Sequence, residues 1–97
     1  MLRHIVLVTY KSEASLPERA AMQATVAAFA EQVPEVRSLT CGENVGSGPN
    51  HHDFAIVADF DDLPAFRRYI ESNAHRSYVD TYAKAIVGKL AAIQHEW

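Results

Sequence analysis

The stretch LRHIVLVTYK, residues 2–11, is rich in β-branched residues and predicts a strand. Side chains alternate along a strand, so one face carries His4, Val6, Val8 and Tyr10, and the other carries Ile5 and Leu7 at its centre. Both faces are apolar in the middle of the strand. We therefore expect both faces to be covered.

A helix is predicted to follow this strand. Ser15 and Glu18 form the S-x-x-E pattern of a capping box, and the helix should end at about Val33, before Pro34. Its expected buried face comprises Met22, Val26, Phe29 and Val33. Two further strands are predicted at residues 36–45 and 52–60, and the glycine-rich turn 46–49 lies between them.

The stretch IESNAHRSYVDTYAKAI, residues 70–86, predicts a helix whose apolar stripe begins with a histidine. Asn73, with Ser72 as the alternative, is the expected N-cap, and a short helix beginning after Asp61 and Asp62 precedes it. His75 and Tyr69 should therefore both point inward at the break between two helices. Gly88 is expected to end the second helix, before a last strand at residues 89–97.

The predicted order is strand, helix, strand, strand, helix, strand. This order is typical of the ferredoxin-like βαββαβ arrangement, an α+β fold with a four-stranded antiparallel sheet and its helices on one face. Alternation places several apolar residues on the face without helices, namely Ile5, Leu7, Leu39, Cys41, Val57, Ile93 and Trp97. An apolar patch of this size usually marks an interaction surface. We expect a homodimer joined through the sheet faces.

Composition limits the remaining classes of function. The chain of 97 residues is expected to form one domain, residues 1–97, with a formal net charge of −3. No run of Lys or Arg is present, which argues against nucleic acid or an anionic membrane as a partner. The apolar run 5–8 is too short for a signal peptide or a membrane span, and the single Cys41 fits a reducing compartment. The expected location is the cytoplasm.

Four segments together resemble the stress-responsive dimeric α/β-barrel domain family, and the similarity covers essentially the whole chain. They are RHIVLVTYK (3–11), VPEVRSLTCGENV (33–45), HHDFAIVADFDD (51–62) and YIESNAHRSYV (69–79). The resemblance implies a small homodimer in which two ferredoxin-like sheets form a barrel. One branch of this family, which includes plant olivetolic acid cyclase, closes a linear polyketide by an aldol step.

That branch uses a tyrosine and a histidine at the helix break, inside a cavity between the sheet and the helices. By position the resemblance implies Tyr69 and His75 as catalytic residues, with His4 as a further family histidine. It also implies that the substrate-binding wall of the cavity consists of Val8, Met22, Val26, Ile56 and Tyr78.

The residues themselves support acid–base chemistry. A histidine in the first turn of a helix and in an apolar pocket should have a lowered pKa, so neutral His75 could act as a general base. The Tyr69 hydroxyl could donate to a substrate carbonyl as this gains charge. Alternatively, His75, Tyr69 and His4 bond to one another and to the backbone as polar residues of the core.

No cofactor and no metal are expected. His51 and His52 are adjacent on a predicted strand and would point to opposite faces, and motifs for nucleotides or zinc are absent. Three hypotheses of function remain: a binder or cyclase- or lyase-type enzyme for a small apolar molecule with a carbonyl, a non-catalytic dimeric stress-response or assembly protein, and, by fold analogy alone, a monooxygenase of a related barrel family.

Overall fold

The computed structural model describes residues 1–97 and contains one antiparallel sheet. Its strands are β1 (Leu2–Tyr10), β2 (Ser38–Glu43), β3 (Phe54–Phe60) and β4 (Val87–Glu96). They lie in the order β2-β3-β1-β4, so the first strand of the chain is in the middle and the last is at an edge. This confirms the predicted ferredoxin-like βαββαβ arrangement.

The first helical segment contains α1 (Leu16–Ala27) and α2 (Phe29–Gln32). The predicted capping box is present: Ser15 Oγ accepts from the Glu18 amide at 3.2 Å, and Glu18 Oε1 accepts from the Ser15 amide at 2.9 Å. The expected continuous helix is interrupted at Ala28. The Ala28 amide is shared between the carbonyls of Ala24 and Thr25, a three-centre bond common where helices end.

The second helical segment contains α3 (Leu63–Glu71), α4 (Asn73–Tyr78), one π-helical turn (Val79–Ala83) and α5 (Lys84–Ile86). Asp62 caps α3 by accepting from the Ala65 amide at 2.9 Å. The cap of α4 is the alternative Ser72 and not the favoured Asn73: the Ser72 hydroxyl accepts from the His75 amide at 3.2 Å. No helix is long and apolar enough to span a membrane.

The core lies between the helices and one face of the sheet. Alternate residues of β1, from Leu2 to Tyr10, are buried on this face, and the largest side chains without solvent contact are Phe29, Phe60, Met22, Val8 and Val26. The predicted buried face of the first helical segment is confirmed, since Met22, Val26, Phe29 and Val33 are all buried.

The boundaries at the ends of the strands differ from the prediction. β2 and β3 are two to four residues shorter than expected, and Asp53 gives one reason: its carboxylate accepts from the Tyr10 amide at 2.9 Å, where a strand would supply a carbonyl. Gly88 does not end a helix. It lies in β4 at a bulge, because Thr9 is opposite Lys89 but Tyr10 is opposite Val87.

The face of the sheet without helices, called the outer face below, carries Ile5, Leu7, Val57 and Ile93 as expected. Leu39 and Cys41 were placed on this face wrongly. They are opposite Ala58 and Ile56, and residues that pair directly share a face, so both point toward the helices. The register of β2 depends on the loop that connects it to β3, and alternation within β2 alone does not determine it.

Packing beneath α1 leads to a first prediction. Met22 has no exposed surface, so M22A should lower the free energy of unfolding by about 2–5 kcal/mol. Leu16 on the same helix is 78% exposed, and L16A should stay within about 0.5 kcal/mol of the wild type. Urea denaturation of both variants measures this difference, and equal stabilities would contradict the proposed core.

Candidate functional site

A cavity of about 230 Å³ lies between the sheet and the second helical segment. Its lining residues are His4, Val6, Ile56, Tyr69, Ile70, His75, Tyr78, Val79, Ala83, Leu90 and Ala92. No acidic side chain, lysine or arginine is among them. The cavity is therefore an apolar space into which two imidazoles and two phenols project.

One hydroxyl group organises the helix break beside this cavity. The Ser72 hydroxyl donates to the Tyr69 carbonyl at 2.6 Å and accepts from the His75 amide at 3.2 Å. It thereby satisfies one backbone group at the end of α3 and another at the start of α4. At this helix break the ring centroids of Tyr69 and His75 lie 4.9 Å apart.

His4 reaches the same cavity from β1 and is almost completely buried. Its Nδ1 lies 2.9 Å from the side-chain amide nitrogen of Gln94 on the neighbouring strand β4. Burial, with a smaller effect of the nearby His75, lowers the pKa of His4 to about 4. His4 is therefore neutral at physiological pH.

Burial sets the protonation states of the other polar groups. It raises the pKa of Tyr69 well above its usual value and that of Tyr78 to about 12. It lowers the pKa of His75, and the Ile70 backbone carbonyl offsets part of this decrease. At neutral pH the cavity thus contains neutral imidazoles and protonated phenols, which means potential bases beside potential proton donors.

Several of these polar atoms have no hydrogen-bond partner in the chain. The hydroxyls of Tyr69 and Tyr78 and Nε2 of His4 make none, and Tyr69, His75 and His4 do not bond to one another. Yet no fully buried side-chain nitrogen or oxygen lacks a partner. These atoms must therefore be accessible, and the cavity is the space that they border.

Phe29, in the first helical segment, packs against the aromatic rings of the site. Its ring centroid lies 5.7 Å from that of Tyr69, 5.4 Å from that of Tyr78 and 6.1 Å from that of His75. The contacts with Tyr69 and Tyr78 are edge-to-face, an arrangement that favours one orientation of each ring. The interruption of the helix at Ala28 immediately precedes Phe29, so this contact depends on the end of α1.

The structure brings five of the predicted site residues together and separates three. His4, Tyr69, His75, Ile56 and Tyr78 line the cavity. Val8, Met22 and Val26 do not line this cavity: they have no exposed surface and lie in the core, where α1 packs on the sheet. Their role in substrate binding stays a prediction.

Sequence reasoning missed one side of the cavity. Leu90 and Ala92 of β4, with Val79 and Ala83 of the π-helical turn, form its wall at the edge of the sheet, and Gln94 contacts His4. Alternation along β4 could have indicated Leu90, Ala92 and Gln94 as one face. Their proximity to His4 required the register between β1 and β4, in which His4 is opposite Gln94.

The adjacent residues His51 and His52 make contacts with different parts of the chain. His52 Nδ1 lies 2.9 Å from the Thr9 hydroxyl, and the His51 ring lies against the glycine-rich loop, where a Cβ on Gly46 would come within 2.7 Å of it. No group of three or more His, Cys, Asp or Glu side chains is arranged to hold a metal ion.

A ferredoxin-like sheet with an apolar cavity under its helices, into which histidine and tyrosine side chains project, defines the class of this protein. The model of the stress responsive A/B barrel domain matches residues 2–96, and the chain belongs to this family. The resemblance inferred from the four sequence segments is thereby confirmed.

Comparisons with known proteins are consistent with membership of this family but do not establish a reaction for this chain. An uncharacterized protein of Streptomyces coelicolor is 32% identical over 81 residues, which are 81% of this chain and 84% of the relative. A dimeric ferredoxin-like protein of unknown function from Thermobifida fusca has a TM-score of 0.88 at 23% identity and covers 99% of this chain and 90% of its own. Hydroxynitrile lyase from Passiflora edulis has a TM-score of 0.85 at 19% identity, over 97% of this chain and 90% of its own.

The low pKa of His4 predicts a pH dependence of stability. Between pH of about 6.5 and about 4, the unfolded chain binds a proton on this ring and the folded protein does not, so stability falls as the pH falls. The slope for one such histidine approaches about 1.4 kcal/mol per pH unit. Urea denaturation across this range should therefore give a shallower slope for H4Q than for the wild type.

The exposed His51 provides the matched control, since H51N removes an imidazole that does not line the cavity. Parallel pH profiles for the wild type and H4Q would show that His4 is not the buried neutral group described above.

Proposed function

We propose that the cavity binds a small, neutral, largely apolar molecule bearing a carbonyl group, and that His75, Tyr69 and His4 perform acid–base chemistry on it. The observation that carries this proposal is the set of accessible polar atoms without partners in an apolar cavity. A purely structural role would be expected to pair such atoms, because an unpaired polar group costs stability.

The size and charge of the cavity support this class of ligand. An engineered cavity of about 150 Å³ in another protein binds benzene, so about 230 Å³ accommodates one aromatic ring with a short carbonyl substituent. No charged side chain is present to compensate a charged ligand, and a buried unpaired charge is costly. A neutral aldehyde or ketone of this size meets both conditions.

The roles follow from the protonation states. Neutral His75 accepts a proton from the carbon next to the carbonyl or from a hydroxyl of the substrate, and the protonated Tyr69 hydroxyl donates to the carbonyl oxygen as negative charge develops there. General acid–base assistance of this kind typically accelerates a step by about 10² to 10⁴. Enolisation, aldol closure and lyase-type cleavage all use this pair of functions. One protein of similar fold is called a hydroxynitrile lyase, which belongs to the same broad class of reaction.

We further propose that the chain forms a homodimer through the outer face. Ile93 and Trp97 are 57% and 59% exposed there, beside the partly exposed Ile5, Leu7 and Val57. The related structure from Thermobifida fusca is described as dimeric, which supports the same assembly here. Two such sheets, packed face to face, would cover β1 on its second side and close a barrel.

The binding proposal predicts the effect of removing single polar groups. Y69F removes only the hydroxyl, so the affinity for benzaldehyde should fall about five- to tenfold, the usual effect of one lost hydrogen bond. H75A should slow turnover of a reactive carbonyl substrate by about 10² to 10⁴, since the general base is gone. Titration monitored by NMR measures the affinity.

Tyr82 offers a matched control, because Y82F removes a hydroxyl outside the cavity lining and should bind benzaldehyde as the wild type does. Unchanged affinity in Y69F, or a loss of stability in H75A without loss of binding, would overturn the functional role of these residues.

The dimer proposal predicts that L7D dissociates the protein, because the substitution places an unpaired charge in the centre of the contact. L16D introduces the same charge at an exposed position on α1 and should leave the dimer intact. Sedimentation at micromolar concentration distinguishes the two states, and a wild-type monomer would refute the assembly.

A further inference from the structure

Gln94 is the one side chain that bonds to a ring nitrogen of His4. The two residues are directly opposite each other on β4 and β1, and their side chains lie on the helix-facing side of the sheet. The Gln94 amide nitrogen is 2.9 Å from His4 Nδ1. An amide nitrogen is only a donor, so the imidazole nitrogen in this bond must be the acceptor.

This bond determines which nitrogen of neutral His4 carries the proton. If Nδ1 accepts, the single ring proton resides on Nε2. Nε2 makes no hydrogen bond within the chain, and no fully buried side-chain nitrogen lacks a partner. Since His4 is nearly buried and lines the cavity, the accessible space at Nε2 is the cavity.

We propose that Gln94 is a positioning residue that holds His4 as the Nε2–H tautomer, so that His4 presents an N–H donor to the cavity beside the Tyr69 hydroxyl. The ring centroids of His4 and Tyr69 are 6.4 Å apart, a separation at which two donors can flank one oxygen atom. We assign both donors to the carbonyl oxygen of the ligand, and this assignment rests on the proposed function.

The assignment separates the roles of the two histidines. His4 has its acceptor nitrogen occupied by Gln94 and offers only a donor to the cavity. No side chain bonds to the His75 ring, and the Ile70 carbonyl can accept only from a protonated ring nitrogen, so the lone pair of the other nitrogen remains available to take a proton. Burial keeps His4 neutral and so preserves the tautomer that Gln94 selects. The carbonyl oxygen is then held by His4 and Tyr69 while His75 acts on the neighbouring atom.

The tautomer is measurable without any ligand, by two-bond ¹H–¹⁵N NMR correlations of the His4 ring at mildly alkaline pH. We expect the wild type to show protonated Nε2 and unprotonated Nδ1. In Q94E the carboxylate can only accept, so the proton should move to Nδ1. Q94M, which has neither donor nor acceptor of comparable strength, should lose the strong preference for one tautomer.

Glu96 provides the control. It lies on the same face of β4, opposite Leu2, and E96Q changes the charge nearby without touching His4. E96Q should leave the His4 spectrum as in the wild type. A wild-type ring protonated at Nδ1, or an unchanged tautomer in Q94E, would overturn the role of Gln94.

A titration with benzaldehyde tests the donor function separately. Once Q94E has the reversed tautomer, its affinity should fall about tenfold relative to E96Q, because a donor at the carbonyl oxygen is replaced by a lone pair. Equal affinities would overturn the donor role of His4. If the wild type itself does not bind benzaldehyde, the proposed ligand class fails, while the NMR spectra still decide whether Gln94 selects the tautomer.

Discussion

The central position of β1 is the constraint on which the rest of the structure depends. It is hydrogen-bonded to β3 on one side and to β4 on the other, so a strand near one end of the chain pairs with a strand near the other end. Its helix-facing residues anchor the core, and His4 among them enters the cavity. Its other face carries partly exposed apolar residues that the helices of the same chain do not cover.

The site depends on a second, local constraint at the helix break. Ser72 ends one helix and begins the next with a single hydroxyl, which places Tyr69 and His75 side by side. Immediately after Tyr78 the helix widens into a π-helical turn, a feature that often accompanies functional sites. Val79 and Ala83 of this turn line the cavity together with Leu90 and Ala92 of β4, so the local irregularity coincides with the open edge of the core.

The outer face combines apolar residues with one polar network. Asp59 receives a bidentate ion pair from Arg3, at 2.8 and 3.1 Å, and a hydrogen bond from Ser38 at 2.8 Å. These donors, Arg3 first, hold the pKa of the Asp59 carboxyl below its usual range. The Arg3 guanidinium also lies 4.6 Å from the centre of the Trp97 ring. The charges of Arg3 and Asp59 are thus paired within the chain, which permits their apolar neighbours to be covered without leaving either of these ions isolated.

The amino-acid sequence by itself determined the elements and their order, because alternation, capping residues and glycine or proline signals act over a few residues. The capping box at Ser15, the cap at Asp62 and the inward direction of Tyr69 and His75 follow from such local patterns.

Only the tertiary structure decided which residues from distant segments meet. The register of β2 turned Leu39 and Cys41 toward the helices, and that of β4 brought Gln94 to His4. The close packing of α1 filled the space around Met22 and Val26 and left the cavity at the β4 edge. Register and packing depend on loop geometry and on contacts between segments far apart in the chain, and no pattern within one segment specifies them.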